Sequence, residues 1–343
     1  FIMGHYIKHK QNYWERKVLN QNGGFDTKLL KYEQISDNEA KKLFKKYVEL
    51  VCLEMSYYCN RACSYCPVAL HERSDKNLEM PNELLSTITK SLKEIDYNGR
   101  ISLNLFNEPL ANKNFINNIS FLSTNLPNSV LSCNSNGDYI KKFSTLEKLN
   151  QNGLKEILIT LHPPKNTPWR LEYAQKQILK FSKRINYKIT DKEFENLKYS
   201  FFVGKLYVEV VCTNWDNKGN SRGGEMKSLI PKHSRINPCE KPMREFVISY
   251  DGSIQLCCHI YQNKNISNSI SKIDKNTPNS IFKIYTNKVL TNARRDLFDY
   301  SEKKGFCRTC NHYENNIRTG SEFFLENEDK DKREEILKRL EKN

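Results

Sequence analysis

Apolar residues recur along this chain at two spacings. Between residues 81 and 96 they fall at Leu84, Leu85, Ile88, Leu92 and Ile95, which lines one face of a helix, and Pro81 suits its first turn. The same step predicts helices over Asn38 to Tyr47, Lys113 to Thr124, Tyr139 to Leu149 (ended by Gly153) and Trp169 to Arg184, with another over Asp191 to Leu197. Short strand-like runs stand between them: Val48 to Ser56, Arg100 to Phe106, Ser129 to Asn134, Glu156 to Leu161 and Leu206 to Thr213. After Asn214 the character changes. Residues 214–235 are rich in Gly, Asn and Lys and read as a long loop. A hairpin follows, Phe246 to Tyr250 and Ser253 to Cys257, because Asp251-Gly252 supplies the positive φ angles a tight turn needs. Helical segments over Asn279 to Tyr300 and Ser321 to Leu340 complete the pattern, the last with alternating charges and a thin apolar stripe.

Strands alternating with helices form right-handed βαβ units and a parallel sheet. The five strands predict an α/β fold, a partial TIM-like barrel whose ligand sites lie at the mouth made by its βα loops. The expected organisation is a basic N-terminal extension (1–48), the barrel (49–235), a small C-terminal domain (236–315) and a charged helix (316–343).

Composition narrows this. A chain of 343 residues with 38% hydrophobic content can bury a barrel-sized core and a small second domain. No run of about 18 apolar residues is present, so no membrane span is expected. Phe1-Ile2-Met3-Gly4-His5 lacks the apolar region of a signal peptide, and Met3 is a candidate initiator. Eleven cysteines without an export signal point to metal ligation in a reducing, cytoplasmic setting. A net charge of +15 favours anionic partners. The basic residues are scattered, however, with no block of five, and abundant Lys, Asn and Ile match an A+T-rich coding sequence. With no RNA-recognition aromatic signature, nucleic acid is an unfavoured partner.

The chemistry concentrates in cysteine. Cys59, Cys63 and Cys66 are spaced C-x3-C-x2-C in the loop after the first strand. Three thiolates on a 4Fe–4S cluster leave one iron open to chelate a small molecule. A zinc knuckle or disulfide loop is the alternative, but zinc sites pair C-x2-C units with a second pair nearby, and none lies close. Tyr65 could wall a flat ligand held there. The run resembles the signature of the radical S-adenosylmethionine (SAM) superfamily, where the open iron binds the amino and carboxylate groups of SAM. Cys239, Cys257, Cys307 and Cys310 form a second set able to close a full 4Fe–4S cluster or a structural zinc site. Its opening, with Gly252 ahead of Cys257, resembles the SPASM domain of such enzymes. Because no cysteine follows Cys310, it is closer to the shorter twitch form with one auxiliary cluster. The spacing is similar to that of radical SAM aminocyclitol dehydrogenases.

The resemblance extends to single residues. Asn107-Glu108-Pro109 resembles the family's Gly-Glu-Pro motif, which implies that Glu108 contacts the SAM amino group, although Asn replaces the Gly. Asn136, in Ser135-Asn136-Gly137, stands where the family has Thr-Asn-Gly. Thr160 stands where a hydroxyl binds the SAM ribose. Arg222 is a candidate contact for a carboxylate or substrate phosphate. Thr160 and Arg222 also read as ordinary strand and loop residues. Cys212 and Cys258 are candidate hydrogen donors, with core packing the alternative, and His162 is a candidate base or polar contact. Cys52 and Cys133 read as core. The resemblance implies SAM and two 4Fe–4S clusters as cofactors, and an external one-electron donor such as flavodoxin or ferredoxin. The expected reaction is oxidation or epimerisation of a polar small molecule, possibly anionic: a sugar, aminocyclitol or phosphorylated derivative. Modification of a ribosomally made peptide is the rival. A noncatalytic iron–sulfur or zinc protein that meets nucleic acid is the third reading.

Overall fold

The computed structural model describes residues 26–312, apart from 72, 165–166, 233, 264–266, 278 and 300. Most of the N-terminal extension and the expected helix over Ser321 to Leu340 therefore lie outside the described residues. The predicted alternation is present as β1 (Leu50–Leu53), α2 (Asn82–Glu94), β2 (Arg100–Ser102), α3 (Phe115–Asn125), β3 (Val130–Ser135), α4 (Phe143–Gln151), β4 (Glu156–Thr160), α5 (Leu171–Arg184), α6 (Asp191–Glu195) and β6 (Leu206–Val211). Ahead of them α1 (Asp37–Tyr47) starts where the Ser36 hydroxyl accepts the Glu39 N–H.

Strands β1 and β2 end sooner than the apolar runs do. After Ser102 one more ladder bond forms, from the Leu103 N–H to the Ser132 carbonyl at 2.8 Å. The Asn104 side chain then accepts the Asn134 N–H at 2.7 Å, so a side chain replaces the backbone and the strand opens into its loop. Two strands are absent from the hydropathy pattern, the two-residue strand Ser271–Lys272 at one sheet edge and, at the other, β5 (Lys198–Val203), antiparallel to β6. Its turn rests on Gly204 at φ +58°, with Val203 opposite Leu206.

The nine strands form one sheet in the order β5-β6-β4-β3-β2-β1-β7-β8-β9. Strands β6, β4, β3, β2, β1 and β7 run parallel. The predicted C-terminal hairpin, β7 (Glu245–Ile248) and β8 (Ser253–Gln255), thus continues the barrel sheet: β7 pairs with β1 from Leu50↔Glu245 to Leu53↔Ile248. β9 (Ser271–Lys272) closes that edge. The helical run expected over Asn279 to Tyr300 breaks in two, α7 (Ser280–Tyr285) and α8 (Lys288–Asp296), because the Asn287 side chain caps the second by accepting the Leu290 N–H. Among the described residues no helix is long and apolar enough to cross a membrane.

Phe44 of α1 is fully buried where these elements meet. Its ring makes edge contacts with Phe246, Phe282 and Tyr285 at centroid distances of 5.3, 5.2 and 5.2 Å. Phe44→Ala should lower the unfolding free energy by about 3–5 kcal/mol, read from urea denaturation. A loss under about 1 kcal/mol would show that α1 is not part of the cooperative core.

Candidate active site

The loop carrying Cys59, Cys63 and Cys66 leaves the C-terminal end of β1, the mouth side of the parallel sheet. Arg61, between the first two cysteines, holds it in place. Its Nε and Nη2 each donate to the Asp138 carboxylate at 2.7 Å, a two-pronged bond that fits guanidinium to carboxylate. Its Nη1 donates to the carbonyls of His162 and Pro163 at 3.1 and 3.2 Å. One side chain thereby fastens the β1 loop to the loops after β3 and β4. Asn60 adds to the tie by donating to Asp138 at 2.8 Å and accepting from Asn136 at 2.8 Å.

The three thiols lie near enough to raise one another's proton affinity, and burial raises it more: Cys59 is pushed up to about 12 and Cys63 to about 11. Without a metal they stay protonated, and binding one would release those protons. Cys59 and Cys66 pack on an apolar patch of Val68, Phe106 and Tyr261. Beside them opens a cleft of about 750 Å³ lined by Tyr58, Cys59, Arg61, Cys63 and Arg73, among others. Among the described residues no three His, Cys, Asp or Glu side chains converge on a point as one metal ion requires. A tetrahedral zinc site would draw its sulfurs to within roughly 4 Å of one another.

Tyr65 packs beside His162 and Trp215 next to the cysteine loop. Its hydroxyl shares a hydrogen bond with Nδ1 of His162, and its ring lies 6.5 Å from that of Trp215. Burial, with Arg61 next, pushes His162 down to about 3, so its imidazole is neutral across the ordinary pH range. Glu108 is buried between loops. It accepts the Leu110 N–H at 3.1 Å, the Ser135 hydroxyl at 2.7 Å and the Asn136 N–H at 2.7 Å. Burial nonetheless pushes it up to about 7. Asn136 therefore sits in the same network, its side chain on Asn60 and its N–H on Glu108. Thr160 ends β4 and is buried opposite Val211.

The second cysteine set is also gathered. Cys257 feels Cys239, Cys307 and Cys310, and burial holds its thiol well above the usual range. Two donors approach one of these sulfurs: Arg235 Nη1 stands 3.5 Å and Asn220 Nδ2 3.8 Å from that of Cys310. The long loop folds onto this segment through fully buried Ser221, whose hydroxyl donates to the Thr309 carbonyl at 2.6 Å, and through Asn311, which donates to the Gly219 carbonyl at 3.0 Å. Sulfur-directed N–H groups and nearby cations suit an iron–sulfur cluster, whose charge they offset. Arg222 reaches between the two sets. It lies over the Phe106 ring at 5.6 Å and donates to Nδ1 of His259 at 3.2 Å. The two candidate hydrogen donors are both engaged: Cys212 with the Leu161 carbonyl at 3.3 Å, and Cys258 with Lys241 Nζ at 3.8 Å and the Glu245 carboxylate.

Several site residues escape a reading by motif. Arg61 and Asp138 are one such pair; a charged residue inside the cysteine loop was the signal for it. Glu54 and Arg73, which flank the loop in sequence, form an ion pair of 2.8 Å whose side chains are 1% and 0% exposed. His259 and His312 lie with ring centroids 4.6 Å apart and planes tilted by 44° beside the second set, each two residues beyond one of its cysteines.

No protein-family model matches the chain. It is similar to the S-adenosyl-L-methionine-dependent 2-deoxy-scyllo-inosamine dehydrogenase of Niallia circulans, 24% identical over 269 residues that cover 78% of this chain and 94% of that one. The crystal structure of BtrN in complex with AdoMet and 2-DOIA matches it with a TM-score of 0.54 and 22% identity, over 77% of this chain and 93% of BtrN. Selenomethionine BtrN in an open conformation gives 0.50 and 20%, over 77% and 92%. The shared fold is the partial TIM-like barrel.

Asp138→Ala should free the Arg61 fork and lower stability by about 1–2 kcal/mol. Amide hydrogen exchange should quicken in 59–66 and 136–140 while the β5–β6 hairpin stays protected. Equal protection of the cysteine loop in variant and parent would remove its anchoring role.

Proposed function

We propose that this chain, a radical SAM protein by its cysteine loop, its sequence relative and its fold, oxidises a polar small molecule. The substrate class is a sugar, an aminocyclitol or a phosphorylated derivative, and a flavodoxin- or ferredoxin-type donor supplies the initiating electron. The observation that carries this reading is the second cysteine set. Four thiols, with donors at the Cys310 sulfur, can ligate every iron of a 4Fe–4S cluster, which leaves no site for substrate and makes electron acceptance its natural work. A relative similar over 94% of its own length acts as a dehydrogenase by name, which supports the same outcome.

When bound at Cys59, Cys63 and Cys66, the cluster with SAM supplies hydrogen-atom abstraction from an unactivated carbon, work no side chain can do. The chain's own residues do the rest. The Arg61–Asp138 fork keeps three βα loops in one register, so the thiols and the facing loops keep a common geometry. Tyr65, His162 and Trp215 make an aromatic wall beside the thiols. His162, held neutral by burial and oriented at Nδ1 by Tyr65, offers a polar contact to a substrate hydroxyl rather than a base, because its proton affinity is lowered. Glu108 and Asn136 hold the loops after β2 and β3 together and offer polar groups to the SAM amino end. The engaged thiols of Cys212 and Cys258 favour electron loss over hydrogen return, which supports oxidation rather than epimerisation.

Anaerobic reconstitution should load about eight irons per chain, two clusters of four. Changing Cys59, Cys63 and Cys66 to Ala should halve the iron and abolish release of 5′-deoxyadenosine from SAM. Stoichiometric zinc at Cys239, Cys257, Cys307 and Cys310 would refute the electron-acceptor role. Turnover in heavy water should leave no carbon-bound deuterium in the product. One deuterium per product, lost with Cys212→Ala or Cys258→Ala, would replace oxidation by epimerisation.

A further inference from the structure

Arg73 carries more charge and more donors than its surroundings use. Its side chain is among the largest fully enclosed in the protein, with the residue 2% exposed. Nη1 donates to Glu54 Oε1 at 2.8 Å, but Nε and Nη2 are buried without an acceptor. The guanidinium lies 4.2 Å from the Tyr57 ring centroid and 5.9 Å from that of Tyr261, so both flanks meet π faces that stabilise its charge yet leave those N–H groups unbonded. Leaving a buried donor unmet is destabilising, and more so when it is charged. A cation held in this way calls for an anionic acceptor.

The surroundings say where that acceptor lies. The Arg73 carbonyl accepts the Cys59 N–H at 3.3 Å, and Arg73 borders the same cleft as Cys59 and Cys63. Tyr261, against which it rests, belongs to the apolar patch that seats Cys59 and Cys66. Its charge also reaches the Cys66 thiol, where burial is the larger influence and Arg222 and Arg73 oppose it. The carboxylate it already meets is shared: Oε1 of Glu54 takes the Phe106 N–H at 3.1 Å as well.

We propose that Arg73 is a positioning residue whose free Nε–H and Nη2–H groups donate to sulfur of an iron–sulfur cluster held by Cys59, Cys63 and Cys66, raising its reduction potential. This rests on the cluster assignment made above. Donors and positive charge at cluster sulfur stabilise the reduced state, which carries one more electron. Glu54 sets the size of the effect by offsetting part of the guanidinium charge.

The test is a reduction titration of the reconstituted full chain followed by electron paramagnetic resonance. The three-cysteine cluster is recognised as the one whose signal changes when SAM is added. Without SAM, Arg73→Gln should move its midpoint to more negative potential and cut the fraction reduced at a fixed low potential several-fold. Arg73→Lys should fall between, and Glu54→Gln should shift the midpoint the opposite way. The second cluster should keep its midpoint throughout. If Arg73→Gln strands Glu54 and loses iron, the Glu54→Gln/Arg73→Gln double variant removes the pair as a unit, and its midpoint should also lie below wild type. Full iron with an unmoved midpoint in these variants would overturn the inference. So would shifts of one sign in both single variants, or a shift seen only with SAM present, which would make a carboxylate the acceptor. Wild-type protein that takes up no iron would overturn the cluster assignment beneath it.

Discussion

The parallel ladder between β1 and β7 is the constraint from which the rest of the site follows. β1 is separated from β7 by almost two hundred positions (Leu50 opposite Glu245), yet β7 lies directly against it, as β2 does on the other side. The loop with Cys59, Cys63 and Cys66 leaves the end of β1, and the chain that carries Cys257 follows the hairpin begun by β7. Two cysteine sets far apart in sequence are therefore hung from neighbouring strands. Phe106, Tyr261 and Arg222 then fill the space between them, with the Phe106 and Tyr261 rings at 4.9 Å and the Arg222 guanidinium over Phe106. Closing so long a loop is slow but adds little extra entropy per doubling of length, so the late strand can join the early one without destabilising the fold.

Much of this was legible in the chain because its signals are local. Helical spacing in Leu84, Leu85, Ile88 and Leu92 gave a helix of nearly the expected bounds, and Asp251-Gly252 marked its hairpin. The cysteine spacings pointed to both sulfur-rich sites. What escaped depends on contacts between segments distant in sequence. The register of β7 on β1 has no local mark, since a buried parallel strand looks alike wherever it docks. Strand β5 carries mixed burial, and only Gly204 announces its turn. Arg61 reads as one more surface arginine until Asp138 arrives from the loop after β3. Glu54 and Arg73 read as ordinary charges because burial is a property of the fold.

The charge balance of the chain takes on a different meaning once burial is known. A net +15 is usually a statement about the outer surface. Here several of the cations are turned inward: Arg73, Arg235, Lys241 and Lys303 are all buried. All four lie near thiols: Arg73, together with the half-buried Arg222, acts on Cys66, and Arg235 and Lys303 act on Cys307. Lys241, paired with Glu245, also reaches Cys258.

That arrangement makes sense of the thiols themselves. Burial is the largest influence on each of Cys59, Cys63, Cys66, Cys239, Cys257 and Cys307, and it holds all of them protonated in the absence of metal. Ligation reverses this, because a metal-bound sulfur is a thiolate and the buried region then gains negative charge. Inward cations are costly while the thiols are neutral and favourable once they ionise, so they shift the balance towards the ligated state. The Glu54 pairing tempers that cost for Arg73 by giving the guanidinium one carboxylate in either state. The two unmet N–H groups are what a single carboxylate leaves over, and they face the same demand for an acceptor that ligated sulfur would satisfy.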